Sequence, residues 1–310
     1  MGFPILIDIA VRDLGAAVAI ATAAREAGAA GVRVRDAAGE RAALDPSVVA
    51  SYLAGIADGI GYLVDLPTTG NAPYNAARRI LSFDRATGGR SGVVLRTGSG
   101  DEVSRATAPD PAATDPVRRW AEYATVLTRL WESFPREALI ADQERARVVD
   151  PALISAIDYE GRYYRVAGPL DGPSSVQGRP VLAVADPGEL GWDVVAGSAD
   201  VVVVERDRSA EANTALVAAL ATTDRERADI ALLGVVSVAP LAAVEARAVA
   251  DDLSAWVTAD ALNGLTLAPT GNPDEIVATI HALVPLLASR PAGPTLREGL
   301  GLRTFVGAAR

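Results

Sequence analysis

Five polar residues stand where short β-branched runs of the sequence end, the position at which parallel strands present side chains to a ligand. They are Asp36, Thr68, Thr69, Arg96 and Thr97. Carboxylate, hydroxyl and guanidinium groups can orient a small ligand through hydrogen bonds without reacting with it. We therefore expect these residues to face a ligand site at one end of the strands.

Each of these residues also has a structural interpretation, and both interpretations stay open. Asp36 can cap the loop in RVRDAAGER, and Thr68 and Thr69 can be turn residues. Arg96 suits a phosphate because its planar fork makes bidentate contacts, but it can equally pair with the acidic residues in GSGDEV.

Several kinds of chemistry are excluded by composition. The sequence contains no cysteine and no lysine, which removes disulfides, thiolate nucleophiles, Schiff bases and the lysine of a phosphate-binding loop. The single histidine, His281, lies among apolar residues at helical spacing, which favours a structural role. Asp200, Glu205 and Asp207 surround one strand, but no histidine completes a coordination sphere, so no metal site is expected.

The charge pattern argues against nucleic acid as a partner. The 310 residues carry a net charge of −10, and no basic face with interleaved aromatic residues is present. The start, MGFPILIDIA, lacks the features of a signal peptide, and no apolar run approaches the roughly 20 residues needed to span a bilayer. We expect a cytoplasmic protein.

Eight β-branched runs alternate with helical stretches, a pattern that predicts repeated βα units. The predicted strands are 5–10, 31–36, 60–66, 92–98, 180–186, 200–207, 230–238 and 264–269. Eight such units predict an α/β fold, a closed (β/α)8 TIM barrel, as one domain over residues 1–310. An open doubly wound sheet is the rival, but VRDLGAAVA after the first strand lacks the glycine fingerprint of that fold.

An extended insertion of roughly 80 residues separates the fourth and fifth strands. It holds a polar loop, the helix VRRWAEYATVLTRLWESF and the predicted hairpin IDYEGRYYRVAG. The aromatic residues of the helix recur on one face, which predicts a packing surface. The hairpin tyrosines Tyr159, Tyr163 and Tyr164 are cross-strand pairs or, in the alternative, line a substrate pocket.

Helix boundaries are also readable. Asp45 and Pro46 predict the N-terminus of a helix after the second strand. A second helix is predicted over residues 73–87, and Gly88 and Gly89 end it because glycine tolerates the left-handed conformation of a C-cap.

Long segments resemble the luciferase-like flavin-dependent monooxygenases, in particular the branch of nitrilotriacetate and dibenzothiophene-sulfone monooxygenases. They include PYNAARRILSFDRATGGRSG, EYATVLTRLWESF, GPLDGPSSVQGRPVLAVAD and TLREGLGL, in the family order over about residues 44–302. The resemblance implies a barrel with reduced FMN supplied by a separate reductase. It also implies oxygen insertion into a small organic substrate, and a dimer.

The family's flavin contacts carry over unevenly. Asp36, Thr68 and Thr69 match family positions, and Arg96 and Thr97 end the strand in which Val93 and Val94 replace the family's Trp-Asn pair. Asp186, Pro187 and Gly188 stand in place of the family's Gly-Ala-Ser turn near the flavin phosphate. The resemblance therefore implies a cofactor-binding set with an altered phosphate turn, comprising Asp36, Thr68, Thr69, Arg96, Thr97, Asp186 and Gly188.

Three functional hypotheses follow. The first is an FMNH2- and oxygen-dependent monooxygenase acting on a small organic substrate, for which no catalytic side chain can be named because the flavin performs the oxygen chemistry. The second is a catalytically silent homologue that acts as a binding or partner subunit, as a homodimer or beside a homologue. The weaker third is a related barrel that uses the deazaflavin F420.

Overall fold

A computed structural model describes residues 2–36, 44–98, 108–185, 187–288 and 293–303. The chain divides into two compact units. The first contains residues up to Leu66, Arg90–Val94 and Val181–Arg303, and the second contains Pro67–Gly89 and Leu95–Pro180. That residues 1–310 act as one domain stays a prediction.

Eight parallel strands close into a barrel, which confirms the predicted (β/α)8 architecture. Their order around the barrel is β1-β12-β11-β10-β9-β4-β3-β2. Observed ends differ from predicted ends by at most two residues. The barrel strands are β1 Ile5–Ala10, β2 Gly31–Arg35, β3 Gly61–Pro67, β4 Ser91–Arg96, β9 Val181–Ala185, β10 Val201–Glu205, β11 Ala231–Val238 and β12 Gly264–Pro269.

The first unit surrounds this barrel with helices whose ends follow from local sequence. Asp13 caps the first helix by accepting from the Ala16 N–H at 2.7 Å, and Gly28 ends it at φ 88°. Asp45 caps the second helix as predicted, with Pro46 in the first turn. These helices are α1 Leu14–Ala27, α2 Pro46–Ala54, α5 Trp192–Ser198, α6 Ser209–Leu220, α7 Ala243–Ala259 and α8 Pro273–Leu287. His281 lies on the surface of α8, 3.9 Å from Glu26.

The amino-terminal end of the barrel is filled by apolar side chains. Leu296 and Leu300, on the short helix α9 (Leu296–Gly299) and just after it, belong to the same buried cluster as Leu6, Leu63 and other inner strand residues. Gly61 leaves room for this packing, because a Cβ there would overlap Leu296. This end of the barrel is therefore a packed core.

The second unit contains the helices α3 (Pro73–Ala86) and α4 (Pro116–Glu132) and two small antiparallel hairpins. The hairpins pair β5 Leu139–Asp142 with β6 Arg147–Val149, and β7 Tyr159–Glu160 with β8 Arg165–Val166. The second pairing confirms the predicted hairpin. Trp120 and Trp131 on α4 are fully buried, as expected of a packing face, and the Trp131 indole N–H donates to the Ala77 carbonyl at 3.0 Å.

The predicted end of α3 is confirmed, because Gly88 and Gly89 both adopt positive φ and the helix stops at Ala86. Asp84, fully buried near this end, accepts hydrogen bonds from the Ser175 hydroxyl and, at 2.6 Å, from the Gln177 side-chain amide. This carboxylate joins α3 to the segment that leads out of the insertion.

Among the helices in the described ranges, none combines the length and apolar character needed to cross a lipid bilayer.

Candidate functional site

Charged residues occupy the inner face of the barrel in the first unit. Leu6 on β1 and Leu63 on β3 belong to the buried inner cluster. Side chains alternate between the two faces of a strand, so Asp8 and Asp65, each two residues further on, also face inward. Arg33 on β2 is in register with Asp8 and with Leu63, which places it on the same face.

These three residues form a buried ionic network. Arg33 makes a bidentate contact with Asp65, in which Nε donates to Oδ1 at 2.9 Å and Nη2 donates to Oδ2 at 3.3 Å. Its Nη1 donates to Asp8 Oδ2 at 3.4 Å, and Arg35 Nε lies 3.9 Å from the same oxygen. The side chains of Asp8, Arg33 and Asp65 are 3%, 8% and 0% exposed.

Asp8 is the weakly satisfied member of the network. Burial raises its pKa to about 6, against the opposing effect of Arg33 and Arg35, and the nearby carboxylates of Asp65 and Glu205 raise it further. Its Oδ1 is buried and has no hydrogen-bond partner among the described residues. Because Asp65 already balances Arg33, Asp8 is a carboxyl group that can gain or lose a proton near neutral pH.

The inner face carries solvent-exposed residues above this network. We use the term inner rim for the last inward-facing residues of four first-unit strands, Ala10, Arg35, Glu205 and Ser237, all of which are exposed. Register supports the assignment, since Ala10 pairs with Arg35. Two of the four side chains are small, and the two long ones carry opposite charges.

The first unit also holds two of the predicted site residues. Asp36 follows β2, is half-buried, and makes no hydrogen bond or ion pair to any residue in the described ranges. Gly188 is exposed in the turn after β9. The Leu190 and Gly191 N–H groups of this turn donate to the Pro187 carbonyl at 3.2 and 3.0 Å. β3 and β4 separate β2 from β9 in the barrel order, so Asp36 and Gly188 end different, non-adjacent strands.

Asp186, the remaining predicted residue near this turn, lies outside the described residues, as do the acidic residues considered as partners of Arg96.

In the second unit, the other predicted residues come together at the ends of β3 and β4. The Thr68 N–H donates to the Arg96 carbonyl at 3.0 Å. Thr69 packs against Gly98, the residue after Thr97, where a Cβ would overlap the threonine side chain. Thr68 is 0% exposed, and its hydroxyl oxygen has no hydrogen-bond partner among the described residues. A buried hydroxyl in this state is a ready hydrogen-bonding group for a ligand.

Tyr164 contacts the backbone of this second-unit cluster. Its hydroxyl donates to the Thr68 carbonyl at 3.3 Å, and its ring meets the Tyr123 ring edge-on with centroids 5.4 Å apart. Burial raises the pKa of Tyr123, whose hydroxyl donates to the Asn71 carbonyl at 3.1 Å. Of the hairpin tyrosines, Tyr159 lies in a strand, whereas Tyr163 and Tyr164 lie in the turn, so the cross-strand interpretation is wrong for those two.

Arg119 on α4 belongs to this cluster and was not predicted from the sequence. Its Nη2 donates to the Gly98 carbonyl, and its Nε is buried without a partner among the described residues. An arginine in the first turn of a helix opposes the helix dipole, which was the available signal.

The ionic network of the first unit was missed as well. The signal was a charged residue within each of the strands ILIDIA, GVRVR and GYLVDLP. Charges inside otherwise apolar strands are costly to bury and usually mark a paired or functional group.

A closed barrel of eight parallel strands with polar groups at their carboxyl ends defines the class of (β/α)8 barrel proteins. Residues 6–283 match the family described as luciferase-like monooxygenase, and the chain belongs to this family. Its membership confirms the resemblance seen in the sequence.

Known relatives cover the chain to different extents. One of the subunits of pristinamycin IIA synthase from Streptomyces pristinaespiralis is 29% identical over 291 residues, which are 93% of this chain and 89% of that protein. Dibenzothiophene-sulfone monooxygenase of Rhodococcus erythropolis is 30% identical over 46% of this chain, and nitrilotriacetate monooxygenase component A of Aminobacter aminovorans is 29% identical over 54%. The matches span only 32% and 38% of those two monooxygenases.

Solved structures share the fold. A riboflavin lyase with modified FMN and riboflavin superposes with a TM-score of 0.83 at 20% identity, covering 97% of this chain and 96% of that one. A long-chain alkane monooxygenase gives a TM-score of 0.85 at 18% identity, covering 97% and 95%. At these identities the likeness shows the fold alone.

Proposed function

We propose that this protein is a flavin-dependent monooxygenase that acts on a small organic substrate, with reduced FMN supplied by a separate reductase. Family membership supports monooxygenase chemistry, and the riboflavin lyase of the same fold was solved with modified FMN. The observation that carries the proposal in this chain is the fully buried Thr68 hydroxyl, which has no partner among the described residues.

The second-unit cluster fits a flavin as a donor and acceptor set. Thr68 and Thr69 would hold the cofactor by their hydroxyls, with Arg96 and Thr97 at the end of the next strand. The bound flavin would supply the oxygen chemistry, while the chain would bind and orient the flavin and keep water away from it. In the first unit, Asp36, Asp186 and Gly188 stay predictions from the resemblance. The turn at Gly188 offers a phosphate little, because Pro187 lacks an N–H and its carbonyl takes two neighbouring N–H groups.

Flavin binding by a Thr68→Val variant tests this proposal. We expect the wild type to bind reduced FMN at micromolar concentration and the variant to bind at least about fivefold more weakly, because it loses one hydrogen bond without losing volume. Thr279→Val is the control, since Thr279 is also buried but lies on α8 in the first unit, where its hydroxyl accepts from the Leu241 N–H at 3.2 Å. Equal loss in both variants, or none in either, would contradict the role of Thr68.

A second candidate function is a partner subunit that does not itself bind flavin. It is favoured by the relative that spans most of both chains, which is by name one subunit of a synthase. This candidate predicts that neither oxidised nor reduced FMN binds to the purified chain at high concentration. It also predicts that the chain is a homodimer or joins a homologue, which light scattering measures.

The F420 hypothesis has only fold-level support. An F420-dependent secondary alcohol dehydrogenase superposes with a TM-score of 0.71 at 10% identity. Binding of F420 in place of FMN in the same titration would favour this hypothesis over the monooxygenase.

A further inference from the structure

The guanidinium group of Arg35, at the inner rim, makes little use of its hydrogen-bonding capacity in the part of the chain that the structure describes. Arg35 ends β2 and faces inward, two residues after Arg33 and in register with Ala10 of β1. Its side chain is 47% exposed, and its one polar contact among the described residues is the 3.9 Å approach to Asp8 Oδ2. At the carboxyl end of a barrel strand, such a side chain is placed to meet a ligand.

Within the described ranges, the residues around Arg35 leave its side chain available. Arg33, directly below, already holds Asp65 in a bidentate pair, so Asp65 does not need Arg35. On the β1 side of Arg35, the inward-facing residues near the strand ends are small, namely Ala10 on β1, Ala268 on β12 and Ser237 on β11. Glu205 lies on β10, four strands from β2 in the barrel order and therefore on the opposite side.

We propose that Arg35 binds an oxyanion group of the ligand, a carboxylate or a phosphate, and that Asp8 beneath it tunes the affinity. A guanidinium fork matches either group through two parallel charge-assisted hydrogen bonds. The proposal rests on the proposed function in taking the ligand to be a flavin or a small organic substrate. It adds the chemical class of the group that is recognised.

Asp8 competes with the ligand for Arg35 when it is ionised. The charged groups that face Asp8 are Arg33 and Arg35 on β2, Asp65 on β3 and Glu205 on β10. When Asp8 takes up a proton, one negative charge disappears from beside Arg35 and the repulsion of an incoming anion falls. Since the pKa of Asp8 is raised to about 6, the affinity for an oxyanion should increase as the pH falls through that value.

Oxyanion binding by an Arg35→Gln variant tests the first part. Succinate and inorganic phosphate are the probes, measured by calorimetry on the full chain. We expect the wild type to bind at least one of them, and the variant to bind about tenfold more weakly or worse. Arg247→Gln is the control, because Arg247 is an exposed arginine on α7 that pairs with Asp251 on the same helix. Unchanged binding in Arg35→Gln, or the same loss in the control, would overturn the proposal.

Comparison of FMN with riboflavin separates the two sources of the oxyanion. If Arg35→Gln weakens FMN binding but not riboflavin binding, the group is the flavin phosphate. If it weakens succinate binding and leaves the FMN-to-riboflavin ratio unchanged, the group is a substrate carboxylate. Absence of all flavin binding in the wild type would count against the proposed function, whereas the succinate and phosphate results decide the role of Arg35 separately.

An Asp8→Asn variant tests the tuning. Sulfate is the probe, because its charge is constant between about pH 5 and about pH 8. The wild type should bind sulfate several-fold more tightly at the lower pH, and Asp8→Asn should bind tightly at both, since its side chain cannot ionise. Tuning by Asp8 is wrong if the variant keeps the wild-type pH profile.

Discussion

At the scale of single residues, Asp8 is a buried carboxyl group whose ionisation lowers the stability of the folded state. Its pKa is raised from 3.8 to about 6, so the native state binds more protons than the unfolded state between these values. The stability that this group contributes therefore falls as the pH rises through that window, by about 3 kcal/mol in all. Ordinary paired carboxylates show the opposite sign.

Asp8→Asn should reverse this penalty. Relative to the wild type, the variant should gain about 1.5 kcal/mol in free energy of unfolding between about pH 5 and about pH 7.5, because only the wild type has a buried carboxyl group that must ionise over this range. Urea unfolding at both pH values measures the gain. Asp58→Asn is a control, since Asp58 is 89% exposed. A constant difference between Asp8→Asn and the wild type would contradict the raised pKa.

Single residues also show which parts of the candidate site could be predicted from the sequence and which could not. Thr68 and Arg96 were predicted because they stand at strand ends, and their 3.0 Å backbone contact agrees with that placement. Asp8, Arg33 and Asp65 were not, because their partners are 25 and 32 residues away and meet only in the correct strand register. Periodicity does not reveal register when both faces of a strand are buried.

At the scale of elements, strand and helix ends were largely predictable because they depend on local chemistry. Asp45 and the glycine pair Gly88–Gly89 act within a few residues of the ends that they define. The turn containing Tyr163 and Tyr164 was predicted as strand. Aromatic residues run through the whole segment, so composition does not show that the strands end at Glu160 and begin again at Arg165. The tyrosines are used in tertiary contacts instead.

At the scale of elements, we predict how replacement of Asp84 changes the stability of the fold. Replacement by alanine removes the acceptor for the Ser175 hydroxyl and the Gln177 amide, and leaves both groups buried without it. We expect Asp84→Ala to lower the free energy of unfolding by about 3 kcal/mol. Asp171→Ala, which breaks the exposed pair with Arg78, should cost less than about 1 kcal/mol.

Hydrogen exchange locates the effect of Asp84→Ala. Protection should fall first in α3, the helix that carries the residue, and in the segment around Gln177. If the two aspartate variants were equally stable, the buried carboxylate would not be what joins these segments.

At the scale of the whole molecule, the two ends of the barrel differ in the side chains that they hold. The amino-terminal end is filled by leucines from the C-terminal helix and strands, whereas the inner rim at the carboxyl end carries exposed and charged residues. The packed core and the rim with exposed charges thus lie at opposite ends of the same strands. The sequence predicted polar residues at the carboxyl ends of the strands, but not the charged interior of this chain.

Arg297 tests the packed end. It is 3% exposed on α9, and its Nη2 donates to Asp200 Oδ2 at 2.6 Å, an oxygen that also accepts the Leu182 N–H at 3.0 Å. Arg297→Met keeps much of the apolar stem but leaves Asp200 without its nearest cation, so we expect a loss of about 3 kcal/mol in free energy of unfolding. Arg303→Met, at an exposed pair with Glu226, should lose less than about 1 kcal/mol.

The two ends of the barrel predict different outcomes for binding in these variants. Because Arg297 lies at the end opposite the inner rim, Arg297→Met should bind flavin and succinate with wild-type affinity at temperatures where it remains folded. Arg35→Gln should show the reverse, with weaker oxyanion binding and a free energy of unfolding within about 0.5 kcal/mol of the wild type, since its side chain is half exposed. Thermal unfolding and calorimetry on both variants provide the comparison, and a loss of both properties in either variant would mean that the two ends are not independent.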